Sequence, residues 1–383
     1  MATTATQLSK GNPVFFRVFI SCLFFSSSCL AYEFIVEDVN DFGQITDFQA
    51  SELCLVAQDT TRYINTQPQD AFAVHAGKVF EPSVTLTRVQ KTLAFICETY
   101  REDMRHHRES RLNDPQFLAK HFDFLRWLPD KERADAIAKT STNDIKRRLL
   151  ENIPNEQIFL TKYYTKLLSG SAVQTEKFSQ ALYALPDDER HMTAQEADKN
   201  KDKLTRFRYT RQQVISGVLL KNKLAKPLIW LTEEALHDVL LQGTGVLNIG
   251  GEIRYFNVHR NNGIAYNYSI GKNEQSRYWY FAQVPSIMGY GQKIEDKIAI
   301  KPQVTFAGNV AELGLGKLIM VNYQRNDQTI SRLGILADQG GAFDGNLFQL
   351  DMLVDSYRGW SDFHQANKQL PDYAKAWIML IKE

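Results

Sequence analysis

The sequence predicts a mainly β protein with a helical N-terminal lead, and three observations predict it. Up to about residue 157 the apolar positions recur at intervals of three and four, the period of an α-helix. From Ile158 onward, runs rich in branched and aromatic residues alternate with Gly, Asn and Asp, as strands alternate with turns. Composition sets the class: 383 residues, 44% hydrophobic and 23% charged, with 45 Lys+Arg against 44 Asp+Glu. That length supports two or three domains and a sizeable core, and the apolar content excludes disorder. The charge balance lacks the basic excess of a nucleic-acid binder. No internal apolar run approaches the roughly 20 residues that span a bilayer.

Residues 1–31 read as a secretory signal. Lys10 and Arg17 supply positive charge, Val14 to Phe25 an apolar centre, and Cys29-Leu30-Ala31 a close of small side chains. Cys29 is alternatively a lipidation site, although Ser26-Ser27-Ser28 lacks the leucine expected three residues before it. Removing this segment leaves acids and bases balanced to within one charge, so net charge points to no partner. Cys22 and Cys29 leave with it. Cys54 and Cys97 remain, either as a disulfide in an oxidising compartment or as two buried thiols. Two cysteines cannot build an all-cysteine zinc site.

Residues 32–47 read as a loosely ordered lead. Leu53, Val56 and Tyr63 then predict a helix over 48–64, and Val89, Leu93, Ile96 and Tyr100 predict a second. Asp114-Pro115 is a cap followed by a helix-starting proline, with Phe117, Leu118, His121, Phe122 and Leu125 on one face. Residues 129–157 are charged and helical around Ile145 to Leu149, with Pro154 as a break. The predicted strands are Phe159 to Leu168, Val239 to Ile249, Ile253 to Val258, Tyr278 to Val284, Leu318 to Tyr323, Leu333 to Ala337 and Trp377 to Ile381. Gly250-Gly251 is a hairpin turn, and 186–206 a charged, solvated loop or short helix.

Several familiar signatures fail. Gly243-Thr244-Gly245 meets Asn248 where a dinucleotide fingerprint needs glycine. Gly316-Lys317 is followed by Leu318, and Ala311 stands where a P-loop needs its first glycine. The histidines form no HExxH pair, and no Gly-x-Ser-x-Gly elbow occurs. Neither a metal, a nucleotide nor any other cofactor is expected.

Four segments remain. They are Leu160-Thr161-Lys162-Tyr163-Tyr164-Thr165; then Tyr209 to Val214 with Leu228 to Leu231 leading into Leu241-Gln242-Gly243-Thr244-Gly245. Next come Asn262-Gly263-Ile264-Ala265-Tyr266 with Ser269-Ile270-Gly271, and finally Asp338-Gln339-Gly340-Gly341-Ala342-Phe343-Asp344-Gly345 with Lys375 to Ile378. In this order and near this spacing they resemble the motifs of the membrane-bound lytic murein transglycosylase A family, with Lys162 and Lys166 in place of a glycine and a proline. The resemblance covers roughly residues 50–383. It implies a double-psi β-barrel domain, 32–165 plus 273–383, and a smaller inserted β-domain, 166–272, with a groove between them for a glycan strand.

It also implies an exported lytic transglycosylase, periplasmic or attached to the outer membrane, whose partner is the peptidoglycan glycan strand. Such enzymes cut the bond between N-acetylmuramic acid and N-acetylglucosamine without water. One carboxyl serves as acid to the leaving oxygen and then as base to the muramyl 6-hydroxyl, where hydrolytic glycosidases need two. Thr161, Tyr163, Tyr164, Gln242, Thr244, Asn262 and Tyr266 fall at motif positions suited to sugar hydroxyls and ring faces. Tyr268, Tyr278, Trp279 and Trp360 offer further flat faces, and at least half of these seven aromatics are expected in the core.

The acid itself departs from the motif. In the family it follows the first motif Asp by eleven residues, which from Asp338 lands on Gln349. Asp351 lies two residues further, and on a strand positions 349 and 351 face the same side. A two-residue slip or bulge would bring Asp351 into the groove, with Asp338 orienting it. If Gln349 is the true equivalent, the chain is instead a catalytically inactive peptidoglycan-binding or envelope-scaffold protein on the same fold.

Overall fold

A computed structural model describes residues 33–45, 48–340, 343 and 345–383. The expected signal over 1–31, with Cys22 and Cys29, lies outside the described residues, as does Asp344. Two long helices form the lead at the predicted places. α1 (Ala50–Thr66) buries Leu53, Val56 and Tyr63. α2 (Leu86–Arg105) begins at Thr85, whose hydroxyl accepts from the Arg88 N–H, and buries Val89, Leu93 and Ile96. A Cys54–Cys97 disulfide joins them. No described helix is long and apolar enough to cross a membrane.

The helix after Asp114 is shorter than its apolar face suggests. Asp114 caps Pro115–His121, but Phe122–Leu128 is a strand. An antiparallel ladder with the C-terminal strand, Phe122 opposite Ile381 through Trp127 opposite Ala376, overrides the helical spacing. Two short helices follow, Lys131–Thr140 and Asp144–Glu151, capped by Asp130 and Asn143.

Six strands close into a barrel: β1 (Ile158–Ser169), β2 (Thr305–Ala307), β3 (Leu318–Arg325), β4 (Gln328–Asp338), β5 (Gln349–Tyr357) and β6 (Tyr373–Ile381). The spatial order is β6-β3-β4-β2-β5-β1, and β1 returns to pair with β6. Two ladders are parallel, β2 with β4 and β5 with β1; the other four are antiparallel. Closure leaves these strands without free edges. β2 and the whole of β5 lie outside the strands expected from the sequence, because β2 has three residues and β5 carries Asp351 and Asp355 within it.

Residues from Ala181 to Phe281 form a second hydrophobic core. Its sheet continues from the far end of β1, where Leu167 pairs with Val246, through the strands Thr244–Ile249, Glu252–Asn261 and Trp279–Val284. Gly250 and Gly251 make the hairpin turn expected there, with φ of 63° and 98°. The strand expected over 239–249 is half helix: Glu233–Gln242 is helical, capped by Thr232, and ends at Gly243 with φ 75°. A capping box of Thr193 and Glu196 starts a short helix, Ala194–Lys199, inside the charged 186–206 segment.

One short hairpin, Ile287–Met288 with Ala299–Ile300, is gripped by α1. The Ala299 N–H donates to Asp59, and Arg62 Nη2 donates to the carbonyls of Asp296 (3.2 Å) and Lys297 (2.7 Å). The Tyr63 and Tyr290 hydroxyls both donate to Asp70 Oδ2, at 2.7 and 2.9 Å. The disulfide steadies the helix that holds this hairpin. Replacing Cys54 and Cys97 with Ser together is expected to lower stability by about 4 kcal/mol, for a loop of 43 residues. Urea midpoints of the oxidised and double-Ser proteins measure this; coincident curves would refute it.

Candidate active site

The barrel register places the two candidate acids in one row. Ala307 on β2 pairs with Asp338 at the end of β4 on one side and with Asp351 on β5 on the other. Asp351 in turn pairs with Thr161 on β1. Neighbouring strands are about 4.8 Å apart, so the two aspartate Cα atoms stand roughly 10 Å apart across Ala307. The flanking residues Leu160, Phe306, Ala337, Leu350 and Met352 belong to the main core. Side chains alternate along a strand, so Thr161, Gln349 and Asp351 share the opposite face, and the register shift between Phe306 and Ala307 sets Asp338 beside Ala307 in the same row. The methyl side chain of Ala307 leaves the space between the carboxylates open.

Each carboxylate is perturbed for stated reasons. Asp338 Oδ2 accepts from the Tyr163 hydroxyl at 2.9 Å, and Oδ1 accepts from the Gln339 N–H at 2.8 Å. Burial pushes its pKa up to about 6, against the pull of these two bonds and of Lys297. Asp351 is pushed further, to about 7. Burial is the main cause; Thr161 and Lys162 draw the value down, and the charge of Asp338 drives it up. Its Oδ1 is buried with no hydrogen-bond partner among the described residues. Both carboxyls are thus pushed well above the ordinary aspartate range, Asp351 further than Asp338.

Gln349 has the opposite character. Its amide nitrogen donates to Thr161 Oγ1 at 2.9 Å and its amide oxygen accepts from Asn346 Nδ2 at 3.0 Å. Thr161 donates to the Leu350 carbonyl at 3.3 Å. Lys162, where the motif has glycine, reaches Asp372 at 3.3 Å, and burial lowers its pKa.

A cavity of about 620 Å³ opens beside the row. Tyr163, Tyr164 and Asp338 form its barrel wall, Gln242, Thr244 and Asn257 its second wall, and the α1-gripped hairpin adds Gly289, Tyr290 and Lys297. Thr161, Gln349 and Asp351 stand behind this lining, joined to it through Tyr163 two residues along β1 from Thr161. Asn262 and Tyr266 are elsewhere. Asn262 is buried, its amide nitrogen donating to the carbonyls of Tyr209 and Ser276 and its oxygen accepting from the Tyr278 N–H, all at 3.0 Å. It organises the turn and has nothing left for a ligand. Tyr266 packs edge-on against Tyr268, centroids 5.1 Å apart. Of the seven aromatics considered, Tyr278 is fully buried and Tyr163, Tyr164 and Trp279 are partly buried against the two cores, in keeping with the expectation of at least half; Tyr268 and Trp360 are well exposed.

Asn257 and Lys297 are polar lining residues with no counterpart among the expected ones. Asn257 is 3% exposed, donates to Thr244 Oγ1 at 3.1 Å, and leaves its own Oδ1 unbonded among the described residues. Alternation gave no signal for it, because Phe256 and Asn257 are both buried on this strand. Lys297 carried none, because the hairpin that presents it is set by contacts to α1.

A closed six-stranded barrel bearing two half-buried aspartates, with a second core reached through the far end of β1, is similar in fold to solved structures of MltA. MltA from Neisseria gonorrhoeae superposes with a TM-score of 0.54 at 13% identity, covering 92% of each chain. Escherichia coli MltA with bound chitohexaose gives 0.48 at 14% identity, covering 92% of this chain and 95% of that one. The murein transglycosylase from Agrobacterium tumefaciens gives 0.48 at 14%, covering 88% and 97%. No curated protein sequence matches. Residues 159–281 match the family model described as the MltA specific insert domain. The chain thus carries a segment that matches that domain, on a fold similar to that of MltA.

The raised pKa of Asp351 is a stability cost at high pH. A carboxyl whose folded pKa exceeds its unfolded value contributes most below the unfolded pKa and loses that contribution as pH rises through about 7. Asp351→Asn is therefore expected to raise Tm at pH 8 and to have little effect at pH 4. Thermal melts at the two pH values check this, and an equal effect at both would contradict the buried carboxyl.

Proposed function

We propose that the chain is a peptidoglycan lytic transglycosylase, cleaving the β-1,4 bond between N-acetylmuramic acid and N-acetylglucosamine and forming 1,6-anhydro-N-acetylmuramic acid. The observation that carries it is Asp351, half-buried, with an uncommitted buried Oδ1 and a pKa pushed up to about 7, one strand row from the cavity. Asp351 would protonate the glycosidic oxygen as the C1–O bond breaks, releasing the N-acetylglucosamine side as an alcohol. The carboxylate so formed would take the proton of the muramyl 6-hydroxyl as that oxygen closes onto C1. Asp338, tied to Tyr163, would remain ionised and sustain the proton affinity of Asp351.

In this proposal Tyr163 and Tyr164 offer ring faces to the sugars, and Gln242 and Thr244 polar groups, from an inserted domain spanning 166–272 of a double-psi barrel. The strand would be met in the periplasm or at the outer membrane. A second possibility is favoured by Gln349, which stands at the motif position of the acid with its amide committed to Thr161 and Asn346. There the chain would bind peptidoglycan without turnover.

One experiment separates them. Purified protein incubated with sacculi is expected to release muropeptides ending in 1,6-anhydro-muramic acid, identified by mass spectrometry. Asp351→Asn should slow release by about 10²–10⁴-fold. No product with retention on sacculi would establish the binding protein instead. Because the charge of Asp338 raises the pKa of Asp351, Asp338→Asn should move the alkaline limb of the pH–rate profile to lower pH. An unmoved limb would remove Asp338 from that role.

A further inference from the structure

We propose that Lys297 is an anion-recognition residue of the cavity, taking a carboxylate carried by the muramoyl unit and so selecting muramic-acid strands over neutral N-acetylglucosamine polymers. This rests on the cavity being a glycan site. Among the described residues lining the cavity, Lys297 is the one cation and Asp338 the one carboxylate. The ammonium has three donors, and its one hydrogen bond is to the Gly289 carbonyl, at 3.3 Å. No carboxylate oxygen of a described residue lies within 4.0 Å of it. Two donors are left for a ligand.

Its position is built. The Lys297 carbonyl is held by Arg62 at 2.7 Å and its N–H by the Lys293 carbonyl at 3.1 Å. Gly291, at φ 139°, lets the chain pass where a Cβ would stand 2.7 Å from the Lys297 Cα. Gly289 lies directly on the acid row: a Cβ there would be 2.6 Å from the Ala337 carbonyl and 3.4 Å from Asp338 Cβ. The ammonium is thus fixed beside the proposed chemistry without being paired by it. Burial lowers its pKa and Asp338 supports it, so the charged form gains from a further anion. The second wall, by contrast, offers the neutral groups Gln242, Thr244 and Asn257, suited to hydroxyls and acetamides.

A charge-assisted bond needs an anion, and chitin oligomers carry none. A muramoyl unit carries carboxylates from two sources: its lactyl group once the peptide is removed, and the acidic residues of the peptide stem. Calorimetric binding of chitohexaose, peptide-free glycan strands and stem-bearing glycan oligomers to Asp351→Asn protein, with and without Lys297→Met, tests this. Lys297→Met should weaken a carboxylate-bearing glycan roughly 10- to 100-fold more than it weakens chitohexaose, and Lys297→Arg should restore most of that difference. Loss confined to peptide-free strands assigns the lactyl carboxylate; loss confined to stem-bearing oligomers assigns the stem. Equal weakening of all three ligands, or no weakening of any, overturns the proposal. Failure of the Asp351→Asn protein to bind any of the three overturns the glycan site itself.

Discussion

The parallel ladder between β1 and β5 is the constraint on which the site depends. It is one of the six ladders of the barrel, and through its register it sets Asp351 opposite Thr161 and Gln349 opposite Phe159. A slip of one residue would turn the acid into the core and Leu350 or Met352 toward the cavity. The opposing demands of the two faces therefore hold the register. Leu160, Leu350 and Met352 are buried at 0% exposure on one side, which obliges a carboxylate to be partly buried on the other. Its raised pKa follows from that geometry.

A second consequence concerns the helical lead. α1 and α2 bury one face against the barrel and would pass for ordinary packing. Yet Asp59, Arg62 and Tyr63 on α1 spend their polar groups on the Ile287–Ile300 hairpin and its partner Asp70. That hairpin forms one wall of the cavity and brings Lys297 to it. The helices are thus part of the site's architecture, one layer removed, and the disulfide between them constrains the same layer.

On the proposed function, Gln349 and Asp351 would divide one role between position and chemistry. The amide occupies the place the motif assigns to the acid and is used to hold Thr161, which lies beside Asp351. The carboxyl two residues on keeps an unbonded oxygen. Period-two alternation makes such an exchange available, because both residues share a face. Lys162 belongs to the same local change: a lysine in place of glycine brings a positive charge that draws down the pKa of Asp351.

The sequence by itself determined the helical lead, the switch to strands at Ile158, the Gly250-Gly251 hairpin and the segments that carry the site, because each is written in local period, capping or turn chemistry. It also located Tyr163, Tyr164, Gln242, Thr244 and Asp338, which line the cavity, since they sit in contiguous motifs. It placed Asn262 and Tyr266 there as well, although a turn asparagine saturated by three backbone groups looks the same in sequence as one facing a ligand. The strand at Phe122–Leu128, the helix ending at Gln242, and β2 and β5 were decided by tertiary structure. Their ladders and caps join residues far apart in the chain, and long-range pairing leaves no local period to read. The pKa values of Asp338 and Asp351 belong to that second group for the same reason: burial and the charge of a neighbour two strands away exist only once the barrel has closed.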